Sequence, residues 1–121
     1  MKNRHILFLS CVLFLLSLVQ ARAVTLDEIA GTYVGWRTET TPAGTIRYVE
    51  MDEILPDGTF NTLLIDEENG IAIAQTSAIT LDERGNIVGV WAGLLQINGP
   101  QLQIKARSGQ SAVHAVTHRT D

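Results

Sequence analysis

The chain has 121 residues, nine basic against thirteen acidic side chains, a formal charge of −4 and a single cysteine. That length fits one domain, and the acidic balance gives no electrostatic case for binding nucleic acid or anionic lipid. One cysteine excludes an internal disulfide framework, so the fold must be held by its core.

Residues 1–23 read as a secretory leader. Lys2, Arg4 and His5 form a basic start, Ile6 to Val19 an apolar run, and Ala21-Arg22-Ala23 a small-residue cleavage site, so cleavage is expected after Ala23. The rival reading is a retained anchor. At 1.5 Å per residue the apolar run reaches roughly 21 Å, short of a ~30 Å hydrocarbon core. A lipoprotein reading on Cys11 is disfavoured because that residue sits inside the apolar run. The expected location is secreted or periplasmic, with no membrane span after cleavage. Three basic residues (Lys2, Arg4, Arg22) and Cys11 leave with the leader. The remaining 98 residues, 24–121, then carry six basic and thirteen acidic side chains, a charge of −7.

Thr25-Leu26-Asp27-Glu28 has the form of a capping box, and Gly31 offers a left-handed stop, which predicts about one turn of helix between them. Strands follow at Tyr33–Thr40, Ile46–Leu55, Phe60–Asp66, Ile71–Leu81, Ile87–Ile97, Leu102–Ala106 and Ala112–Thr117. Between them fall Ala43-Gly44, Asp57-Gly58, Asn69-Gly70, Arg84-Gly85-Asn86, Asn98-Gly99-Pro100 and Ser108-Gly109. Turn signals at that spacing, with apolar runs between them, predict an all-β fold. The expected architecture is an antiparallel up-and-down meander of about seven strands, curled into a small barrel or half-barrel, with one short N-terminal helix. A parallel sheet has no room for crossover helices. Leu102 and Ile104 alternate with Gln101, Gln103 and Lys105 as in a half-buried strand. Ile71–Ala74 and Ile87–Trp91 are apolar on both faces and need cover on both, from the short helix or from another subunit.

Gly31-Thr32-Tyr33, after a one-turn helix and at the mouth of the first strand, resembles the G-x-W start of lipocalins and lipocalin-like barrels, with Tyr where that family has Trp and Trp36 three residues on. The resemblance covers this entry motif and the meander layout, and on it residues 24–121 form a single lipocalin-like domain. It implies that Arg119, near the end of the last strand, packs over the first-strand aromatic, and that a small apolar molecule binds within the barrel. Tyr33, Trp36, Tyr48, Phe60 and Trp91 are the candidate ligand-binding residues. The other reading of the same aromatics is that they fill the interior.

Other clusters carry less. His114 and His118 would share a metal on a helix but start roughly 13 Å apart on a strand, so they are expected on an outer face and no metal site is predicted. Glu50 and Asp52 share one side of the second strand. Buried, they could perform acid–base work at a barrel mouth; a solvated face is the favoured expectation. Asp66-Glu67-Glu68-Asn69-Gly70 reads as a solvated turn, because it lacks the spaced oxygens and distal Glu of a calcium loop. Ser77, Ser108 and Ser111 sit in no nucleophile motif, and no phosphate-cradling glycine loop is present, so no catalytic residue and no cofactor are predicted. The expected function is an exported, non-catalytic β-barrel-like domain holding a small hydrophobic ligand. The alternative is an oligomeric or protein-interaction component of the cell envelope that acts through its surface, with self-association among its expected partners.

Overall fold

The computed structural model describes residues 24–121, and the leader expected over 1–23 lies outside the described residues. A single helical turn, α1 (Leu26–Ile29), opens the fold. Thr25 caps it, its Oγ1 accepting the Glu28 amide at 3.3 Å. The turn ends at Ala30 in extended conformation, and Gly31 begins the first strand instead of providing a left-handed stop.

Two long strands follow, β1 (Gly31–Thr41) and β2 (Gly44–Ile54), then β3 (Thr59–Asp66) and β4 (Ile71–Ala78). The chain next makes a two-stranded ribbon of β5 (Thr80–Leu81) and β6 (Ile87–Val88) and a 3-10 turn at Gly89–Trp91. It closes with β7 (Leu95–Asn98), β8 (Gln101–Ser108) and β9 (Ser111–Arg119). The main sheet has seven antiparallel strands in the order β4-β3-β2-β1-β9-β8-β7. It is an antiparallel meander that does not close, so a half-barrel describes it. The first and last strands pair at its centre, with Tyr33 opposite Arg119 and Thr40 opposite Ala112. The break falls in the middle of the sequence, between edges β4 and β7.

That break accounts for two departures from the predicted elements. The strand expected over 71–81 stops at Ala78 because β3 begins only at Thr59: Ile79 still donates its amide to Gly58 O at 2.7 Å, but beyond it the β2–β3 turn, with Gly58 at φ +92°, leaves no strand to pair with. The strand expected over 87–97 splits because Gly89 and Gly93 adopt φ of +82° and +75°, which an extended strand does not accommodate.

Alternation assigns the faces. Along β3 every second residue, Phe60, Thr62, Leu64 and Asp66, is buried against the inside of the curl. Ile29, Tyr33, Ile54, Phe60, Ile79, Leu95, Leu102, Ile104 and Ala115 form the apolar core, and Trp91 packs on Phe60 with ring centroids 5.2 Å apart. Each large side chain so buried stabilises the fold by about 1.5–3 kcal/mol relative to exposure.

Gly35 marks the tightest approach of β1 to β9. A Cβ built there would lie 2.0 Å from Val116 O and 2.7 Å from Thr117 Cα, both backbone atoms that cannot step aside alone. Gly35→Ala is therefore expected to cost about 3 kcal/mol, the upper range for overpacking. The check is a lowered chemical-denaturation midpoint with an unchanged slope.

Candidate functional site

The β1–β2 register sets Arg37 opposite Tyr48 and Gly35 opposite Glu50, so Arg37 and Glu50 are diagonal neighbours on the inner face. Arg37 Nε and Nη2 both reach Glu50 Oε1, at 2.6 and 2.5 Å, and Nη1 lies 3.5 Å from Glu39. Beside them Asp52 accepts hydrogen bonds from Thr62 Oγ1 at 3.0 Å and Thr117 Oγ1 at 3.3 Å. Glu50 is 0% exposed and Asp52 1%. This overturns the expected solvated face: the curl turns that side of β2 inward, where β3 and β9 cover it.

Two carboxylates sealed beside one guanidinium cannot both stay charged. Burial, and then the neighbouring Asp52, push the Glu50 carboxyl up from 4.5 to about 8 against the pull of Arg37. Asp52 is also raised by burial, opposed by hydrogen bonds from Glu50, Thr62 and Thr117 and by the charge of Arg37. Glu50 Oε2 is buried with no donor to satisfy it. A proton on Glu50 accounts for the raised carboxyl: hydrogen-bonded to Asp52, the pair then holds one proton and one negative charge, which balances Arg37. The carboxyls face inward and lie side by side, as acid–base chemistry at a barrel mouth requires, but they are shut off from solvent and so act as a lock on the polar half of the core. Burial also raises Tyr48, reinforced by the charges of Glu39 and Asp66.

The other candidates divide between the two faces. Tyr33, Tyr48 and Phe60 are buried, and Trp91 is partly buried with its Nε1–H on Ser77 Oγ at 2.9 Å. They pack the interior and occupy the space a ligand would take. Trp36 is not with them. It lies on the outer face, 49% exposed, because it alternates with the inward Gly35 and Arg37. Asp66 is buried at the inner end of β3, where it accepts from Asn69 N and Nδ2 at 3.2 and 2.7 Å, so only the rest of its turn is solvated. His114 and His118 lie exposed on the outer face of β9, and among the described residues no group of three metal-binding side chains occurs.

Arg119 packs against Tyr33, its guanidinium carbon 5.3 Å from the ring centroid. Its Nη2 donates to Tyr33 Oη and to Glu28 O, both at 2.7 Å, while Tyr33 Oη donates to Ile29 O at 2.6 Å. The contact follows from a register that sets Tyr33 opposite Arg119. Its effect is to fasten α1 to both central strands.

Following the register across the outer face reveals an arrangement that no contiguous stretch of sequence displays. Ala72, Ile65, Val49, Trp36 and Val116 form one cross-strand row over five strands; Ala74, Leu63, Met51 and Val34 form the next. None of these residues is buried. At about 4.8 Å per strand the belt is roughly 19 Å long. On one side it is bordered by Thr76, Asn61 and Glu53, linked by Thr76 Oγ1 to Asn61 Oδ1 and Asn61 Nδ2 to Glu53 Oε1. On the other side runs the row Arg47, Thr38, His114 and Lys105. The Arg47 guanidinium lies 4.0 Å over the Trp36 ring. A surface hollow of about 560 Å³ opens here between Val34, Trp36, Arg47, His114 and His118. A second, of about 470 Å³, lies over Met51, Leu63 and Ala74. An apolar strip edged by fixed cations can seat a partner that carries an acidic group beside an apolar one.

The shared proton makes a pH prediction. Glu50 holds its proton in the fold up to about pH 8 but only to about 4.5 when unfolded. Its contribution is fully present below about pH 4.5 and is lost as pH rises to about 8. Glu50→Gln keeps the acceptor for Arg37 and a donor for Asp52 without that loss. Denaturation midpoints of parent and variant are expected to diverge in favour of the variant between pH 5 and pH 8; parallel curves would exclude the shared proton.

No known protein family, curated protein or solved structure matches this chain.

Proposed function

We propose that this chain is an exported, non-catalytic interaction module that works through its surface, the binding face being the outer side of β4-β3-β2-β1-β9. One observation carries the reading: a two-row apolar belt lies uncovered over an interior already filled by Tyr33, Phe60, Leu102 and the Arg37–Glu50–Asp52 cluster. An apolar patch of this extent on a small domain marks a contact surface. Export is supported by the leader pattern of residues 1–23. A small apolar ligand inside the curl, the leading expectation from sequence, has less support, because the side chains meant to line its pocket pack the core or, like Trp36, face outward.

The partner chemistry is an apolar segment carrying a carboxylate or phosphate. Arg47 and Lys105 supply the cationic edge, with His114 between them as a polar neighbour, and Trp36, Val34 and Val116 the apolar floor. The row is local: a chain of net negative charge gathers three of its cationic side chains, Arg47, Lys105 and Arg107, on the outer side of the sheet. Net charge, from which the sequence reading excluded anionic lipid, does not report this local field.

The two tryptophans separate surface binding from interior binding, since Trp36 lies outside and Trp91 bonds Ser77 inside. Dodecanoate, titrated below its micelle concentration, is expected to shift the Trp36 indole N–H resonance and leave that of Trp91 in place. Arg47→Ser should weaken the binding about fivefold, the value of one exposed ion pair near 1 kcal/mol. A shift confined to Trp91 would return the ligand to the interior, and no shift at either indole would refute the outer-face reading.

A further inference from the structure

Strand β4 is an edge of the main sheet, and it lacks the features that usually keep an edge from pairing. It runs eight residues, Ile71-Ala72-Ile73-Ala74-Gln75-Thr76-Ser77-Ala78, without a charge or a proline, and it pairs with β3 in unbroken register. The uncharged run continues to Leu81.

The hydrogen-bond phase of this edge can be read from its end. Ile79 N donates to Gly58 O at 2.7 Å, and Leu55 N donates to Thr59 O at 2.9 Å on the other side of β3. Antiparallel ladders alternate, so Ile71, Ile73, Gln75 and Ser77 direct their main-chain groups to β3. Ala72, Ala74, Thr76 and Ala78 direct theirs away from the sheet. The free edge is therefore a row of four N–H and four C=O groups carried by small side chains.

We propose that this edge pairs with β4 of a second copy of the chain, antiparallel about a two-fold axis normal to the sheet. The axis keeps inner face with inner face, and all four outward residues are used when Ala72 pairs with the partner's Ala78 and Ala74 with the partner's Thr76. About eight main-chain hydrogen bonds form, and Gln75 faces the partner's Gln75 across a non-hydrogen-bonded pair. On the inner side Ile73 comes opposite the partner's Ser77, the residue that holds Trp91. On the outer side Ala72 and Ala74 are the last members of the apolar belt, so pairing joins the two belts into one.

Charge does not bar a second copy at this edge. Residues 24–121 carry −7, so two copies repel over most of their surface, but β4 itself carries no charged side chain and its ladder can form there without that local penalty. A foreign extended peptide would find only main-chain groups and small side chains here, with no pocket to select it. The strand is self-complementary under the two-fold axis, which is what an isologous interface requires. The inference is independent of the outer-face reading, because it stands on the edge and not on the belt.

Cysteine cross-linking tests it. All variants carry Cys11→Ser, which leaves the introduced thiol as the only one whether or not the leader is removed. Gln75→Cys sets two thiols on Cα atoms about 4.5 Å apart across the seam, within disulfide reach. It is expected to oxidise to a covalent dimer at least tenfold faster than Gln110→Cys, an exposed turn residue. Ala74→Pro removes an outward N–H and leaves the β3 ladder intact. In sedimentation it should be monomeric at concentrations where the parent is a dimer, with unchanged far-ultraviolet circular dichroism. A parent that sediments as a monomer at millimolar concentration, or a Gln75→Cys chain that cross-links no faster than Gln110→Cys, overturns the proposal. If Ala74→Pro fails to fold, the cross-linking comparison alone decides it.

Discussion

The first and last strands of the described chain meet at the middle of the sheet, and at Gly35 their backbones approach so closely that no side chain fits between them. Much of the architecture follows from that contact. The break in the sheet moves from the chain ends to its middle. Tyr33, opposite Arg119, becomes the point where α1, β1 and β9 are tied together. Gly35 also lies in one row with Glu50 and Thr117, so the polar half of the core forms beside it.

That core is divided along the strands. From Ile54 and Phe60 toward Ile29 it is apolar; from Asp52 toward Tyr48 it holds Arg37, Glu50, Thr62, Thr117 and Asp66. A buried ionic group of this kind adds little net stability compared with an apolar core of the same shape, but removing one member leaves a buried charge without its partner, at a cost of about 3–5 kcal/mol. Arg37 cannot stay buried beside an apolar replacement, and Asp52 cannot stay charged without the donors around it. Only one register of β1 against β2 brings Arg37 diagonally to Glu50, and a slip of β2 by one residue would turn Glu50 and Asp52 to the outer face, away from Arg37. The polar half therefore specifies the alignment of the two longest strands, while the apolar half supplies the burial that holds them.

The turns were legible because their chemistry is local. Leu55-Pro56-Asp57-Gly58 and Asn69-Gly70 place their glycines at positive φ, and the meander between them was readable from spacing alone. Glycine misled where it stood inside an apolar run: Gly89 and Gly93 ended a strand that their neighbours' hydropathy continued. The fate of Glu50 and Asp52 was not legible. Their side of β2 was visible, but whether that side is inner or outer depends on how β3 and β9 curl across it, a tertiary fact. Trp36 illustrates the same limit. Aromatic character points to the interior, whereas parity opposite to that of the inward Tyr33 and Arg37 puts Trp36 outside. The outer belt is not visible in the sequence because its members come from five strands, and only the register assembles them. A partial signal existed in the doubly apolar stretch Ile71–Ala74, which asks for cover that the described residues do not supply.

Part of this sheet departs from the usual division of chemistry in a small barrel. One half of the interior is a closed polar set, and an apolar row lies on the outer face opposite it. An interior that shares a single proton between two carboxyls resists opening, because admitting a ligand would separate Arg37 from Glu50 and Asp52 from its hydroxyl donors. The same register keeps the outer rows in alignment, since the outer residues of β1, β2 and β9 alternate along their strands with inner ones that are buried. On the proposed reading, a partner docking at Trp36 would meet a surface already set by the sheet register, would cost little backbone conformational entropy, and would be selected by the spacing between the Arg47 row and the apolar rows beside it.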